Sequence, residues 1–186
     1  KEILIVDDGS DDQTGAVAQR FCSLHPFVRL FKHSARQGKG AALRAALAEA
    51  RGEYFAVQDA DLEYETQDIP AFLQEMKKRG WDALFGSRFL RKNPTRYPLY
   101  YWGNQAVSRW ISCLTGEKIT DSYTGRKMVK TQRLKNFGLK SSGFEIEAEI
   151  AVKAGLAAHA GRLRFGELPI RYHPRTKKEG KKIKTR

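Results

Sequence analysis

Short apolar runs alternate with longer segments of helical periodicity along the whole chain. The apolar runs predict strands, which we place at Ile3–Val6, Phe27–Lys32, Glu53–Gln58, Trp81–Gly86, Arg126–Val129 and Arg162–Tyr172. The periodic segments predict helices, which we place at Thr14–Leu24, Gly38–Ala50, from Thr66 onward, Leu99–Leu114, after Val129 to Phe137, and Phe144–Ala154. Strands that alternate with helices are typical of an α/β fold with a mostly parallel sheet flanked by helices.

Three of the predicted helices have apolar residues at a spacing of three and four, so that these residues share one face. In the helix Thr14–Leu24 the face consists of Val17, Phe21 and Leu24. In the helix from Thr66 onward it consists of Ile69, Phe72, Leu73 and Met76. In the helix Leu99–Leu114 it consists of Leu99, Gly103, Val107, Ile111 and Leu114. Each face is the apolar side of a helix that the sequence predicts to be amphipathic.

The size and composition favour one folded domain. The chain has 186 residues, of which 41% are hydrophobic and 30% charged, and this is enough for a core and too apolar for a disordered chain. We therefore expect a single domain over residues 1–186, with a basic tail from about His173. Lys1 enters a strand at once and basic residues continue to Arg186, so we also expect the chain to be a fragment of a longer protein. The sequence predicts no oligomeric state.

The net charge of +13 indicates an anionic partner, because 34 Lys and Arg stand against 21 Asp and Glu. Candidates are an anionic membrane surface, a phosphorylated substrate and nucleic acid, and solubility alone is the alternative. Nucleic acid is the least favoured, since the basic run Arg175–Lys182 contains no aromatic residue and no zinc-ligand spacing occurs. Cys22 and Cys113 are far apart, which fits free thiols in a reducing compartment.

An acidic cluster follows the predicted strand Glu53–Gln58. Alternate side chains of an extended segment share a face, so that Asp59, Asp61 and Glu63 could converge on one ion. Carboxylates so close repel one another unless a cation lies between them, and a hard divalent cation commonly holds a diphosphate. The cluster therefore predicts a metal and nucleotide site. The alternative is a solvated loop that leads into the helix near Thr66.

Two further segments near the first strands have a possible ligand role. Asp7-Asp8-Gly9-Ser10 can form a tight turn, in which Asp8 is the candidate to bind ribose or base, and capping of the helix at Thr14 is the alternative. Gly38-Lys39-Gly40 at a helix start predicts either a phosphate contact or close packing of the helix on a strand, and the sequence favours neither. It lacks the full spacing of a P-loop.

Gly86-Ser87-Arg88 lies at the end of a predicted strand. Its guanidinium could bind phosphate in bidentate fashion, although Arg88 could also be one of many surface arginines. In parallel α/β sheets, ligands bind at the carboxyl ends of strands. The acidic clusters and Arg88 all fall at such ends, which predicts one ligand site.

In this order, the motifs resemble family-2 glycosyltransferases of the GT-A fold, and most of all their dolichol-phosphate mannosyltransferase-like branch. The resemblance is carried by Val6–Ser10, Gly38–Ala42, Gln58–Tyr64, Gly86–Phe89, Thr120-Asp121, Thr124-Gly125, Gly143–Glu145, Glu167–Ile170 and Glu179–Lys182. It implies a GT-A, Rossmann-like fold that lacks its first strand here, because the family's opening Pro-x-Tyr-Asn-Glu type motif is absent. Arg36 and Arg126 also depart from the family pattern, in which Asn and an aromatic residue are usual.

The resemblance implies a role for each matching residue. Nucleotide-sugar contacts would come from Asp7, Asp8, Gly38, Lys39, Asp59 and Ala60. Mg²⁺ or Mn²⁺ would be held by Asp59, Asp61 and Glu63. The acceptor phosphate would be bound by Arg88, Lys127 and Arg175, with Arg88 and Lys127 also able to reach the diphosphate. The catalytic residues would be Asp61, Asp121 and Arg88.

The implied reaction moves a hexose from a nucleotide-diphosphate sugar, of GDP-mannose or UDP-glucose type, to a dolichyl or undecaprenyl phosphate, with inversion. Such an enzyme would be peripheral on the cytoplasmic face of a membrane and would act in cell-envelope or glycan biosynthesis. Two alternatives remain open. One is transfer to a sugar hydroxyl in polysaccharide synthesis, with Asp121 or Glu147 as the base. The other is a catalytically silent, membrane-associated binding module of the same fold.

Overall fold

The computed structural model describes residues 1–176, and the basic run from Lys177 to Lys182 lies outside the described residues. Within residues 1–176, strands and helices alternate as the sequence predicts. The strands are β1 (Ile3–Asp7), β2 (Val28–Lys32), β3 (Tyr54–Ala56), β4 (Ala83–Ser87), β5 (Lys127–Lys130) and β6 (Phe165–Pro169). The helices are α1 (Thr14–Leu24), α2 (Lys39–Glu49), α3 (Asp68–Arg79), α4 (Pro98–Thr115), α5 (Thr131–Asn136) and α6 (Ile146–His159). The predicted α/β class is confirmed.

The strands form two sheets. β1 and β2 pair in parallel, with Ile3 opposite Val28, and the other sheet has the order β3-β5-β4-β6. β4 and β6 are also parallel, with Ala83 opposite Phe165. The chain divides into two compact units, unit 1 from Lys1–Phe55 and Val129–Lys153, and unit 2 from Ala56–Met128 and the chain from Ala154 on. A single domain over the whole chain stays a prediction, and we describe each unit by itself.

Helix α1 of unit 1 packs through small residues instead of its apolar face. Gly15 and Ala18 are buried, whereas Val17, Phe21 and Leu24 are exposed. A side chain at Gly15 would collide with the Asp7 carboxylate. The absence of one lets the helix approach β1 closely, and the larger side chains then point away from the strands.

The core of unit 2 forms around β4, in which every residue is buried. Phe85 of β4 contacts Phe165 of β6 edge to face, with ring centroids 5.0 Å apart. The predicted apolar face of α3 is confirmed by its two largest side chains, because Phe72 and Met76 are almost completely buried.

Helix α4 of unit 2 has its polarity reversed. The predicted stripe splits, so that Ile111 is buried while Leu99 and Leu114 are exposed. The inward face instead carries short polar side chains that bind the following loop. Ser108 Oγ accepts a hydrogen bond from Ser122 N at 2.9 Å, and Ser112 Oγ accepts one from Ile119 N at 2.9 Å. These hydroxyls satisfy main-chain N–H groups that would otherwise be buried without partners.

Within residues 1–176, none of the helices combines the length and the apolar character needed to span a bilayer.

Candidate functional site

The acidic loop, which we define as residues 58–65, follows β3 in unit 2. Asp59 and Asp61 are both half-buried, and Asp61 Oδ1 accepts a hydrogen bond from Glu63 N at 3.1 Å. Between them and Glu63 the chain turns at Leu62, whose φ of 62° is in the left-handed region and whose side chain is 85% exposed. A branched residue adopts this conformation only when its surroundings hold it there. The loop is therefore shaped by its contacts.

Glu63 is buried and binds the segment that follows β6. Its Oε2 accepts a hydrogen bond from Tyr172 Oη at 2.7 Å, and its Oε1 accepts one from Arg175 N at 3.0 Å. Its main-chain oxygen accepts a bond from His173 N at 2.9 Å. Burial, together with this carboxylate, raises the pKa of Tyr172 above its ordinary value. The role of Glu63 as a metal ligand stays a prediction, and any metal would compete with these bonds.

Arg175 faces the predicted metal residues from the same segment. Its Nη2 lies 3.3 Å from Asp61 Oδ2, and the two side chains are 34% and 27% exposed. Within residues 1–176, no group of three or more His, Cys, Asp or Glu side chains is placed to hold a metal ion. The donor chemistry of Asp59 and Asp61 nevertheless fits Mg²⁺ or Mn²⁺, because both offer hard carboxylate oxygens near solvent. Here a guanidinium supplies positive charge beside Asp61.

Arg126 holds the two ends of the acidic loop together. Its Nη1 donates to Val57 O at 3.1 Å, and its Nη2 donates to Gln58 Oε1 at 2.6 Å and to Glu65 O at 3.0 Å. The side chain is only 1% exposed, and burial lowers the pKa of its guanidinium. The sequence marks Arg126 as a departure from the family pattern but gives it no role, because two of its three acceptors are main-chain carbonyls.

Two predicted catalytic residues, Arg88 and Asp121, are in direct contact. Asp121 Oδ2 accepts bonds from Arg88 Nε at 2.7 Å and from Arg88 N at 3.0 Å, while Oδ1 accepts one from Arg88 Nη2 at 2.8 Å. Asn104 Nδ2 of α4 also donates to Oδ1 at 2.9 Å. Asp121 is completely buried. Burial alone would lower the pKa of Arg88, but Tyr64 and Asp121 together raise it above its ordinary value.

Lys127, the third predicted phosphate contact, is buried beneath the loop that carries Asp121. Its Nζ donates to Ser122 O at 3.1 Å and to Thr124 O, and it lies 5.1 Å from the ring centroid of Phe85. Only 1% of the residue is exposed. Its contact with phosphate stays a prediction, and in this structure Lys127 stabilises the loop 121–125 from below.

In unit 1, the Asp7-Asp8 turn divides its roles between residues. Asp8 Oδ1 lies 2.7 Å from His33 Nδ1 and accepts a bond from Gln37 N at 2.9 Å, while Oδ2 accepts one from Gly38 N at 2.8 Å. Burial opposes ionisation, but these bonds hold the pKa of Asp8 below its ordinary value. Asp7 closes the turn by accepting from Ser10 N at 3.0 Å. Contact of either with a nucleotide stays a prediction.

Gly38-Lys39-Gly40 packs closely, but against a loop and not a strand. Gly38 has a φ of 102°, and a side chain there would collide with the main-chain oxygen of Ser142. Ala41 N donates to that oxygen at 3.1 Å. Lys39 Nζ lies 2.8 Å from Glu147 Oε1, and Glu147 is buried. The close approach accounts for the glycines, and phosphate binding by Gly38 and Lys39 stays a prediction.

The chain belongs to glycosyl transferase family 2, whose model matches residues 1–140. Among curated relatives, it is 29% identical over 182 residues to the dodecaprenyl-phosphate galacturonate synthase of Rhizobium johnstonii, a match that covers 94% of this chain and 50% of the relative. It is 31% identical over 157 residues to the dolichol-phosphate mannosyltransferase of Pyrococcus furiosus, covering 82% of this chain and 44% of the relative. The chain thus spans about half the length of these relatives.

A solved structure supports the fold. The glucosyl-3-phosphoglycerate synthase of Mycobacterium tuberculosis, in complex with Mn²⁺ and UDP-glucose, superposes with a TM-score of 0.66 over 96% of this chain and 62% of that one. The two are 17% identical, so this similarity shows the fold alone. The GT-A-like fold is confirmed, in agreement with the match to glycosyl transferase family 2.

Proposed function

We propose that this chain is the catalytic region of a metal-dependent glycosyltransferase that moves a hexose from a nucleotide-diphosphate sugar to a polyprenyl phosphate, with inversion. Both relatives reported above are named for polyprenyl phosphates, which supports this acceptor class. The donor is of GDP-mannose or UDP-glucose type, and the Mn²⁺ and UDP-glucose of the structural neighbour support a metal and a nucleotide sugar.

One observation carries the choice of acceptor: the buried carboxylate of Asp121 is fully engaged by N–H donors from Arg88 and Asn104. A sugar hydroxyl must lose its proton to a general base, and both oxygens of Asp121 are already occupied by four N–H donors. The other candidate base, Glu147, is buried against Lys39. A phosphate monoester needs no such base, because its second pKa is about 6. The geometry therefore favours a phosphate acceptor.

The residues of unit 2 would act mainly by orientation and charge. Asp121 fixes the guanidinium plane of Arg88, which also lies over the ring of Tyr172 at 5.1 Å from its centroid. A guanidinium fixed in this way binds a phosphate with little loss of conformational freedom. Arg175 would add a second positive charge. In this role Arg88 and Arg175 hold the acceptor oxygen in line for attack and reduce its repulsion from the donor.

Asp59 and Asp61 would hold Mg²⁺ or Mn²⁺ with the donor diphosphate, and Ala60 would contact the nucleotide sugar. When bound, the metal would stabilise the charge that develops on the leaving nucleoside diphosphate. Arg126 keeps the loop in shape for this role. In unit 1, we assign donor contacts to Asp7, Asp8, Gly38 and Lys39. We place the whole protein on the cytoplasmic face of an anionic membrane.

The test is a transfer assay on the full-length protein with labelled GDP-mannose and UDP-glucose and three acceptors: a polyprenyl phosphate, the matching polyprenol and an oligosaccharide. We expect a product with the phosphate only, at a rate that rises with pH through about 6 as the acceptor gains its second charge. Equal transfer to the polyprenol or the oligosaccharide would overturn the phosphate acceptor. No transfer with any donor, despite nucleotide binding, would favour the silent binding module.

A further inference from the structure

The outward face of α4 is apolar and aromatic. Four large side chains on it are exposed: Leu99 by 77%, Trp102 by 69%, Trp110 by 65% and Leu114 by 57%. At 100° per residue, these positions fall within about one-third of the helix circumference, so that they form a single stripe along α4. Single exposed apolar side chains are common on protein surfaces, whereas a contiguous group of them indicates a contact surface.

The opposite face of the same helix is mainly polar, with Ile111 as its buried apolar residue, and this is not the pattern of an ordinary surface helix. Asn104, Ser108 and Ser112 point inward and bind Asp121, Ser122 and Ile119. A helix at a protein–water boundary has the reverse arrangement, with its apolar face inward. Trp102 and Trp110 therefore lie on the side of α4 that the described residues of unit 2 leave exposed.

The charges around the stripe are mostly positive, which indicates an anionic partner. Helix α4 contains no acidic residue, and residues 89–118 contain a single one, Glu117. The same span contains five basic residues, all of them exposed: Arg91, Lys92, Arg96, Arg109 and Lys118. Tryptophan at the boundary of a bilayer, flanked by lysine and arginine, is the arrangement of a helix that lies in the headgroup layer of an anionic membrane.

We propose that α4 lies in the interface of an anionic bilayer, with Leu99, Trp102, Trp110 and Leu114 buried among the lipid headgroups and upper acyl chains. The proposal rests on the proposed function in that the acceptor is a lipid phosphate. Its consequence is positional, because Asn104 on the inner face of α4 binds Asp121, which in turn holds Arg88. The helix thus ties the position of Arg88 to that of the membrane surface.

The test compares binding of full-length protein to vesicles of phosphatidylcholine with and without phosphatidylglycerol. The variant is Trp102→Ser with Trp110→Ser, and the control is Val17→Ser with Leu24→Ser on α1, which removes two side chains of similar exposure. We expect the double tryptophan variant to bind anionic vesicles at least about tenfold more weakly, and the control to bind as wild type. In wild type, tryptophan emission should shift to shorter wavelength on binding and be quenched by lipids brominated near the headgroup.

Unchanged vesicle binding by the tryptophan variant, or an unshifted emission in wild type, would overturn the proposal. The proposal would also be overturned if wild type formed a dimer in analytical ultracentrifugation, did not bind vesicles, and lost the dimer only in the tryptophan variant. This face would then be assigned to contact with a second copy of the chain. Transfer to a short-chain polyprenyl phosphate in solution separates this inference from the proposed function. The tryptophan variant should keep the wild-type rate in that assay. If wild type itself were inactive there, the proposed function would fail, whatever the vesicle-binding result for α4.

Discussion

Asp121 binds Arg88 through both of its carboxylate oxygens and also accepts the main-chain N–H of Arg88. The pair joins the end of β4 to the loop before β5, and Asp121 is completely buried while the Arg88 side chain is 18% exposed. One partner is therefore structural, and the other presents a positive charge near the surface.

The first prediction concerns this pair. Asp121→Ala should lower the free energy of unfolding by about 3–5 kcal/mol, because it leaves a largely buried guanidinium without its counter-ion. Asn104→Ala is the matched control, since it removes the neutral hydrogen bond to Asp121 Oδ1, together with the bond that Asn104 accepts from Ser108, and should cost about 1–2 kcal/mol. Denaturant titrations of both variants measure the difference. Similar losses in the two would mean that the charge of Asp121 contributes little.

The second prediction concerns metal binding at the acidic loop. In wild type, Mn²⁺ with a nucleoside diphosphate at 100 times its Kd should add about 2.7 kcal/mol to the stability in a thermal-shift assay. Asp61→Asn should abolish this gain and the transfer activity, while the unliganded protein loses less than about 1 kcal/mol, because the contact with Arg175 is partly exposed. Glu65→Gln, in the same loop, should keep the gain. A full metal-dependent gain in the Asp61 variant would contradict the assignment.

The third prediction concerns the clamp formed by Arg126. Arg126→Lys keeps the charge but cannot reach Val57 O, Gln58 Oε1 and Glu65 O together, so that the acidic loop loses its shape. We expect a lower free energy of unfolding, by about 1–3 kcal/mol, and weaker binding of Mn²⁺ with nucleoside diphosphate. If stability fell while metal affinity stayed at the wild-type value, Arg126 would support the fold without positioning Asp59 and Asp61.

The fourth prediction is a pH dependence in unit 1. Burial would raise the pKa of Glu149, but hydrogen bonds from Lys153 and from the main chain of Ser141 and Lys140 lower it from 4.5 to about 2. Because the folded-state pKa is the lower one, the stabilisation is present above about pH 4.5 and is lost as the pH falls towards 2. Glu149→Gln should therefore cost about 1.5–3 kcal/mol at pH 7. Its difference from wild type should shrink steadily below pH 5 in denaturant titrations.

The fifth prediction compares two glycines. Gly38→Ala should destabilise the protein by more than about 1 kcal/mol, since the φ of 102° and the main chain of Ser142 both oppose a side chain. Gly103→Ala, inside α4, meets no atom within 4 Å and should stabilise by up to about 1 kcal/mol through helix propensity. Melting temperatures that moved in the same direction would contradict the packing described for α2.

The periodicity of the sequence predicted the type and order of the described elements and the buried face of α3, but not the buried faces of α1 and α4. In α1, the small residues Gly15 and Ala18 pack inward because they allow close approach, and this requirement leaves no apolar signal. In α4, the inward face consists of hydroxyl and amide side chains, whose partners are main-chain groups of residues 119–122. Periodicity counts apolar side chains and therefore cannot detect such partners.

For the site, the motifs identified the residues but not their contacts. Arg88 and Asp121 were predicted separately, and nothing in a separation of 33 residues indicates that one binds the other. The role of Arg126 was missed because two of its acceptors are main-chain carbonyl oxygens. Every residue has such an oxygen, so the sequence does not show which residues accept these bonds. Conversely, the alternative of close packing for Gly38 was available from the sequence, since glycine at a helix start indicates either ligand or backbone contact.

The bonds of Glu63 have a consequence for local opening. Its main-chain oxygen binds His173 N and its carboxylate binds Arg175 N and Tyr172 Oη, so that the acidic loop and residues 172–175 share hydrogen bonds in both main chain and side chain. Neither segment can open without breaking the bonds of the other. In hydrogen-exchange measurements, the amides of His173 and Arg175 should therefore exchange with one common opening free energy. Exchange at both should slow together when a nucleotide binds the acidic loop.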